Sequence, residues 1–83
     1  MENKTFRKPS KILADILARN IRELRRERNL SQEKLAELSG LHRTYVGSVE
    51  RSERNVTLSS LELLAHALDV TVIQLLTPSE KKK

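Results

Sequence analysis

The sequence predicts an all-α domain, a compact bundle of five helices, and three observations predict it. Apolar residues recur at helical spacing, Ser or Thr precedes most of the predicted helices, and no stretch alternates with the period of two that strands require. At 83 residues the chain is long enough for one hydrophobic core and too short for two. We therefore expect residues 10–77 to fold as one domain, between a flexible basic arm at 1–9 and a flexible basic tail at 78–83.

The first predicted helix begins at Ser10 as its N-cap and runs to about Arg28. Arginines and glutamates occupy its outer face, and Asn29 is a residue type that stops helices. The inward face is a stripe with spacings of four, four and three residues, formed by Leu13, Leu17, Ile21 and Leu24. In the arm before this helix, Lys4, Arg7 and Lys8 follow no period, so we expect them to add electrostatic affinity without sequence preference.

The next two predicted helices are short and are joined by a glycine turn. Ser31 caps the second helix, and Gly40 ends it at a position that favours a positive φ. Its inward residues are expected to be Leu35, Ala36 and Leu38. The third helix spans residues 42–50, with Val46 and Val49 inward and Leu41 just before it. Two short helices joined in this way are the sequence form of a helix-turn-helix.

The last two predicted helices are capped by threonines. Thr57 begins the fourth helix, Asp69 breaks it, and Thr71 begins the fifth. The expected inward residues are Leu58, Leu61, Leu64, Ala65 and Leu68 on the fourth helix and Val72, Leu75 and Leu76 on the fifth. Ile73 has no evident place in a monomer core, so it predicts a two-fold symmetric dimer contact through this segment.

Charge is distributed unevenly along the chain, whose net charge is +5. Residues 19–54 carry nine basic and six acidic side chains, whereas residues 55–80 carry three acidic side chains and no basic one. A basic middle segment indicates a nucleic-acid partner, although a solvated helix face has the same pattern. The absence of cysteine excludes disulfides and thiolate sites and is compatible with the cytoplasm. No apolar run is long enough for a membrane span or a signal peptide, so we expect a cytoplasmic protein that binds no membrane.

Enzymatic chemistry is not predicted. The two histidines, His42 and His66, fall on different predicted helices, and the chain has no glycine-rich phosphate loop. His66 and Glu62 stand four residues apart, as two metal ligands could, but a pair without a third ligand is more typical of an exposed helix face. We expect no catalytic residue, no metal, no cofactor and no small-molecule ligand.

Three motifs carry a resemblance to a known family. The stretches "LSQEKLAELSGL", "VERSERN" and "LELLAHALDV" resemble the Cro and phage-repressor type of helix-turn-helix domain. The stretch "HRTYVGSVERSERNVTLSSLELL" is more closely similar to the controller proteins of restriction–modification systems. This resemblance implies a small dimeric regulator that binds a palindromic operator in double-stranded DNA and acts on its own promoter and that of the endonuclease. It also implies a partly buried ion pair between Arg25 and Glu50, which makes Glu50 part of the scaffold.

Candidate base-reading residues lie near the start of the third helix, the part of a recognition helix that reaches base edges. Arg43 suits guanine O6 and N7, against the alternative of a solvated arginine. Thr44 and Ser48 are expected on the same outward face as weaker discriminators. Gly47, also expected there, either permits a close approach of DNA to the backbone or is simply tolerated.

Candidate phosphate contacts surround these base readers. Ser31 and Gln32 lie at a helix N-terminus, which attracts phosphate, although capping explains Ser31 equally well. Tyr45 either reaches a phosphate through its hydroxyl or packs beside Val49. The residues that follow the third helix are expected to track the sugar-phosphate strand, and they are Arg51, Arg54 and Asn55.

A protein-interaction module on the same fold, such as an antitoxin or an adaptor, is the main alternative, and a phage-type repressor is another. The residue types on the outward face of the third helix distinguish a DNA-binding domain from a protein-binding one. A surface that binds protein would show Leu, Met or aromatic residues there, whereas this chain shows Arg43, Thr44 and Ser48. The sequence therefore favours DNA.

Overall fold

The structure, a computed structural model, describes residues 11–79, and this part of the chain contains five helices and no strand. The helices are α1 (Ile12–Glu27), α2 (Gln32–Ser39), α3 (Arg43–Glu50), α4 (Leu58–Leu68) and α5 (Val72–Leu76). The predicted all-α class and its five helices are confirmed. The arm at 1–9, Ser10 and the lysines at 81–83 lie outside the described residues. The predicted cap at Ser10 is wrong, because α1 begins at Ile12 with Lys11 as its N-cap, and the Lys11 side chain makes no capping hydrogen bond. Among the helices described, none is both long and apolar enough to cross a membrane.

Side-chain caps fix where three of the helices begin. Ser31 Oγ accepts a hydrogen bond from Lys34 N at 2.9 Å, and Thr57 Oγ1 accepts one from Ser60 N at 3.0 Å. At α5 the capping is reciprocal, because Thr71 Oγ1 accepts from Gln74 N while Gln74 Oε1 accepts from Thr71 N. Each of these bonds satisfies a backbone N–H that has no partner within its helix. The predicted caps at these positions are confirmed.

Left-handed backbone conformations end α2 and α4. Gly40 has φ +75° and Asp69 has φ +59°, and Asn29 after α1 has φ +56°. At the turn between α2 and α3, the amides of Gly40 and Leu41 both donate to the carbonyl of Ala36, at 2.8 and 3.1 Å. The turn is therefore closed by the backbone itself, and a glycine adopts it without steric cost.

One hydrophobic core joins all five helices. Helix α1 packs against α3 and α5, α2 packs against α3 and α4, and α4 packs against α5. The largest completely buried side chains come from every helix, and they are Ile21, Leu35, Val46, Leu64, Leu68 and Leu75. Such burial stabilises the fold by about 1.5–3 kcal/mol for each large apolar side chain.

Three leucines predicted to be inward are exposed instead. Leu13 is 57% exposed, Leu38 48% and Leu58 76%. Leu13 and Leu58 lie in the first turns of α1 and α4. On α2 the buried residues are Leu35, Ala36 and Ser39, so the covered arc is centred away from Leu38. Spacing therefore located the stripes of α1 and α4 but not their ends, and on α2 it assigned Leu38 in place of Ser39 to the buried side.

Candidate nucleic-acid interface

The helix-turn-helix formed by α2 and α3 presents the first turn of each helix on one side of the molecule. Arg43 is the first residue of α3 and Thr44 the second, and both are exposed. Arg43 Nε lies 3.8 Å from Glu33 Oε2 on α2, with both side chains at least half exposed. At this distance and exposure the pair is weak, so Arg43 remains available to a stronger anion.

Gly47 lies under three polar side chains. A Cβ added at Gly47 would lie 3.2 Å from Arg51 Nη1, 3.3 Å from Arg43 Nη1 and 3.8 Å from Gln32 Oε1. Gly47 is therefore buried, not outward as the sequence predicted, because long side chains one turn before and one turn after it close over its bare backbone. The lack of a side chain lets two guanidinium groups and an amide gather over a single turn of α3.

Glu50 connects the first three helices. Its carboxylate accepts hydrogen bonds from Arg25 Nε at 2.6 Å and Arg25 Nη2 at 3.0 Å, a bidentate ion pair. Gln32 Nε2 also donates to Glu50 Oε1, at 2.9 Å, and Arg22 Nη1 donates to the backbone carbonyl of Glu50. Glu50 is only 3% exposed. The ion pair that the family resemblance implies is present, and it places Glu50 in the scaffold.

Gln32 thus belongs to both the scaffold and the exposed surface. Its amide nitrogen is bound to Glu50, while its amide oxygen points towards the position above Gly47. This arrangement orients a side chain that sequence reasoning expected only to contact phosphate. The contact with Glu50 crosses between helices, so no local spacing in the sequence indicates it.

Ser48 lies elsewhere than the sequence predicted. It is 4% exposed, and its hydroxyl is already engaged, donating to Tyr45 O at 2.8 Å and accepting from Arg54 Nε at 2.9 Å. The predicted outward position is wrong, because the last four residues of α3 are all buried against the rest of the domain. Burial of the hydroxyl also argues against the base contact predicted for Ser48.

The segment after α3 carries the remaining candidates. Arg51, Arg54 and Asn55 are exposed. Arg51 Nε lies 3.2 Å from Glu53 Oε2, and the Arg54 guanidinium lies over the Tyr45 ring, with Cζ 5.5 Å from the ring centroid. Tyr45 is partly buried against the core. Its ring therefore both packs, one of the two roles expected for it, and supports an arginine.

The other candidates lie away from this surface. His66 and Glu62 are exposed on α4, and no cluster of three residues suited to holding a metal occurs within residues 11–79. Ile73 on α5 is 76% exposed. Sequence reasoning missed Asn20, a buried polar residue on α1 whose Nδ2 donates to the carbonyls of Leu75 and Thr77, both at 2.8 Å. A signal existed, since Asn20 directly precedes Ile21 on the inward side of α1.

The fold and this surface define a helix-turn-helix domain. A family model described as "Helix-turn-helix" matches residues 21–75. Over 65 residues the chain is 65% identical to control protein C.SmaI of Serratia marcescens, a match that covers 78% of this chain and 77% of that protein. The chain therefore belongs to this helix-turn-helix family, and control protein C.SmaI is one of its relatives.

Solved structures agree with this assignment. The restriction–modification controller protein C.AhdI from Aeromonas hydrophila matches with a TM-score of 0.72 and 50% identity, over 75% of this chain and 94% of that one. The controller protein C.Esp1396I, solved as a tetramer in complex with its natural 35 base-pair operator, matches with a TM-score of 0.70 and 38% identity. That match covers 76% of this chain and 83% of that one. The resemblance to controller proteins seen in the sequence is confirmed.

Proposed function

We propose that this chain is a sequence-specific transcription regulator that binds a palindromic operator in double-stranded DNA as a homodimer. The observation that carries the proposal is the convergence of Arg43, Arg51 and Gln32 over Gly47, on the exposed side of α3. A recognition helix reaches base edges with its first residues, and arginines around it neutralise phosphates. The relative C.Esp1396I, solved with its operator, supports the same reading.

The genes under control are proposed from the family. C.AhdI and C.Esp1396I are restriction–modification controllers, and the identity to control protein C.SmaI is high. We therefore propose that this chain regulates restriction–modification genes, its own among them. The family is one of transcription regulators, so we expect no catalytic activity, and we expect the protein to act in the cytoplasm, where its DNA lies.

We assign base reading to Arg43 and Thr44, which are exposed in the first turn of α3. The proposed phosphate contacts lie around them, and they are Ser31, Gln32, Tyr45, Arg51, Arg54 and Asn55. Gln32 is half-buried at the N-terminus of α2, where backbone amides and the helix dipole favour an anion. An outward face of Arg and Thr on α3 also favours DNA over the protein partner of an antitoxin or adaptor.

The proposed dimer uses the side of the molecule formed by α4 and α5. Leu58 on α4 and Ile73 on α5 are each 76% exposed, and a contact between two copies would remove such apolar side chains from water. The half-sites of the operator should then lie about 34–36 Å apart, one turn of the DNA duplex. Sedimentation equilibrium at micromolar concentration should give a dimer. A monomer that protects one half-site in footprinting would refute this arrangement.

The test of the site compares a base reader with a phosphate contact. Arg43→Ala should weaken operator binding by about 1–3 kcal/mol per half-site and relax preference at one base pair. Gln32→Ala should weaken binding to operator and to random duplex alike, because the backbone phosphates are chemically identical at every base-pair step. Circular dichroism and urea unfolding of both variants control for loss of structure. Equal losses on both duplexes for Arg43→Ala would make Arg43 a phosphate contact.

A further inference from the structure

Ser48 fixes the segment that follows α3 in two ways. Its backbone carbonyl accepts a hydrogen bond from Glu53 N at 3.0 Å, and its hydroxyl accepts one from Arg54 Nε at 2.9 Å. The hydroxyl proton is used as well, since Ser48 Oγ donates to Tyr45 O at 2.8 Å. With its donor satisfied inside the helix, the Ser48 oxygen can only accept, and the group it accepts from is a guanidinium.

The Arg54 side chain is held from a second direction by the Tyr45 ring. The guanidinium carbon lies 5.5 Å from the ring centroid, within the range of a cation–π interaction. Contact with the ring leaves the edge of the guanidinium open, and Nε is bound to Ser48. The terminal nitrogens, which carry four of the five N–H donors of an arginine, remain to meet a ligand.

We propose that Ser48 is a positioning residue, which together with the Tyr45 ring holds Arg54 in its DNA-binding conformation before DNA arrives. This inference rests on the proposed function, because it names how one DNA contact of that site is prepared. A free arginine loses rotamer freedom when it binds, which costs about 0.5–1.5 kcal/mol per immobilised side chain. A guanidinium already fixed by one hydrogen bond and one ring loses less on binding.

The positioning role also explains why Ser48, predicted from the sequence to contact a base, lies beneath the surface. Ser48 is 4% exposed and lies beneath the surface, so it can influence DNA only through a neighbour. Arg54 is that neighbour, exposed and carrying the positive charge. The role proposed for Ser48 therefore predicts an effect on binding that depends entirely on Arg54.

A double-mutant cycle on DNA binding tests this dependence. The probes are a duplex that the wild-type protein selects from random sequence and a scrambled duplex of the same length. Ser48→Ala should weaken binding to the selected duplex by about two- to tenfold per half-site, the range that the ordering cost of one side chain converts to. In an Arg54→Gln background, Ser48→Ala should cause no further loss. An equal loss in both backgrounds, or no loss in either, would overturn the proposal.

Two further variants separate positioning from general damage to the fold. Ser39→Ala is the matched control, because Ser39 is also 4% exposed and its hydroxyl also donates to the carbonyl three residues earlier, at 3.2 Å. It should cost stability as Ser48→Ala does and leave affinity for the selected duplex unchanged. Tyr45→Phe keeps the ring, so Arg54→Gln should lower affinity by the same factor in that background as in the wild type. In a Tyr45→Leu background, Arg54→Gln should lower affinity less. A loss with Ser39→Ala equal to that with Ser48→Ala would indicate a structural role alone.

A measurement without DNA distinguishes this proposal from the function on which it rests. In nitrogen-15 spectra of the free protein, the Arg54 Nε–H should exchange slowly in the wild type and rapidly in Ser48→Ala. Rapid exchange in both proteins would overturn the positioning role, whatever the DNA result. If selection from random sequence yields no duplex that the wild type binds, while Arg54 Nε–H behaves as expected, the proposed function fails and the positioning of Arg54 by Ser48 is still supported.

Discussion

The short helices α3 and α5 pack against the same long helix, α1, yet different interactions hold them in place. Helix α3 has eight residues and is tied by charge, through Glu50, to Arg25 on α1 and Gln32 on α2. Helix α5 has five residues and is tied by neutral groups, its capping box and the amide of Asn20. Neither is long enough to be stable alone, since isolated helices below about 12 residues are marginal in water.

The difference follows from what each helix exposes. Helix α3 carries Arg43 in its first turn, and the buried polar network behind it orients the neighbouring Gln32 towards the same surface. Helix α5 exposes Ile73, an apolar side chain that needs no polar support. The surface proposed to bind DNA is thus supported by a buried ion pair, and the surface proposed to contact a second copy of the chain is supported by helix caps and buried leucines.

Removing the ion pair that holds α3 should lower the stability of the domain the most. Glu50→Ala leaves the Arg25 guanidinium, 13% exposed, without its counter-charge, and the free energy of unfolding should fall by about 3–5 kcal/mol in urea denaturation. The control is Glu53→Ala, whose carboxylate pairs with Arg51 at 54% exposure and should matter by less than about 1 kcal/mol. Similar losses for the two variants would mean that Val46 and Val49 alone hold α3.

Removing the neutral hydrogen bonds that hold α5 should lower stability less and should also affect the dimer. Asn20→Ala leaves the carbonyls of Leu75 and Thr77 without their buried donor, which should cost about 1–3 kcal/mol of stability. Because Asn20 holds the helix that carries Ile73, the dimer should also weaken in sedimentation equilibrium. Asn55→Ala, at an exposed asparagine, is the control for stability. A destabilised protein with an unchanged dimer dissociation constant would separate α5 from the interface.

The smallest effects come from Gly47, and they should have opposite signs. Gly47→Ala removes a poor helix former, which should raise stability by up to about 1 kcal/mol. The new methyl would meet the far ends of Arg43 and Arg51, so operator affinity should fall, by less than about tenfold per half-site. Thermal unfolding and operator titration measure the two effects. The control is Ser59→Ala, at an exposed position of α4. A gain in both quantities would show that Gly47 is merely tolerated.

Much of the fold could be predicted from local signals. The caps at Ser31, Thr57 and Thr71 and the turn at Gly40 each depend on one residue and its neighbours within a few positions. Helical spacing likewise identified most core residues of α1 and α4, with Leu13 and Leu58 as the exceptions, because a stripe that faces one neighbour repeats with the helix. The exposure of Leu38 was not predictable in this way, since it depends on where α3 and α4 meet α2.

In the candidate site, too, some features could be predicted from local sequence and others could not. Sequence position alone placed Arg43 and Thr44 at the start of α3, and family resemblance supplied the pair of Arg25 and Glu50. The links of Gln32 to Glu50 and of Asn20 to the end of α5 cross between helices far apart in the chain. No spacing in the sequence records them.

Short motifs in the chain specify its five helices, its helix-turn-helix and its resemblance to controller proteins, because each of these properties depends on residues close together in the sequence. Which side chains of α3 face outward depends on the tertiary contacts. Gly47 is covered by the side chains of Arg43, Arg51 and Gln32, and Ser48 is buried beside Arg54, whereas Arg43 and Thr44 are exposed. A helix presents residues in every direction, and the neighbours that cover part of it determine which residues remain to meet DNA.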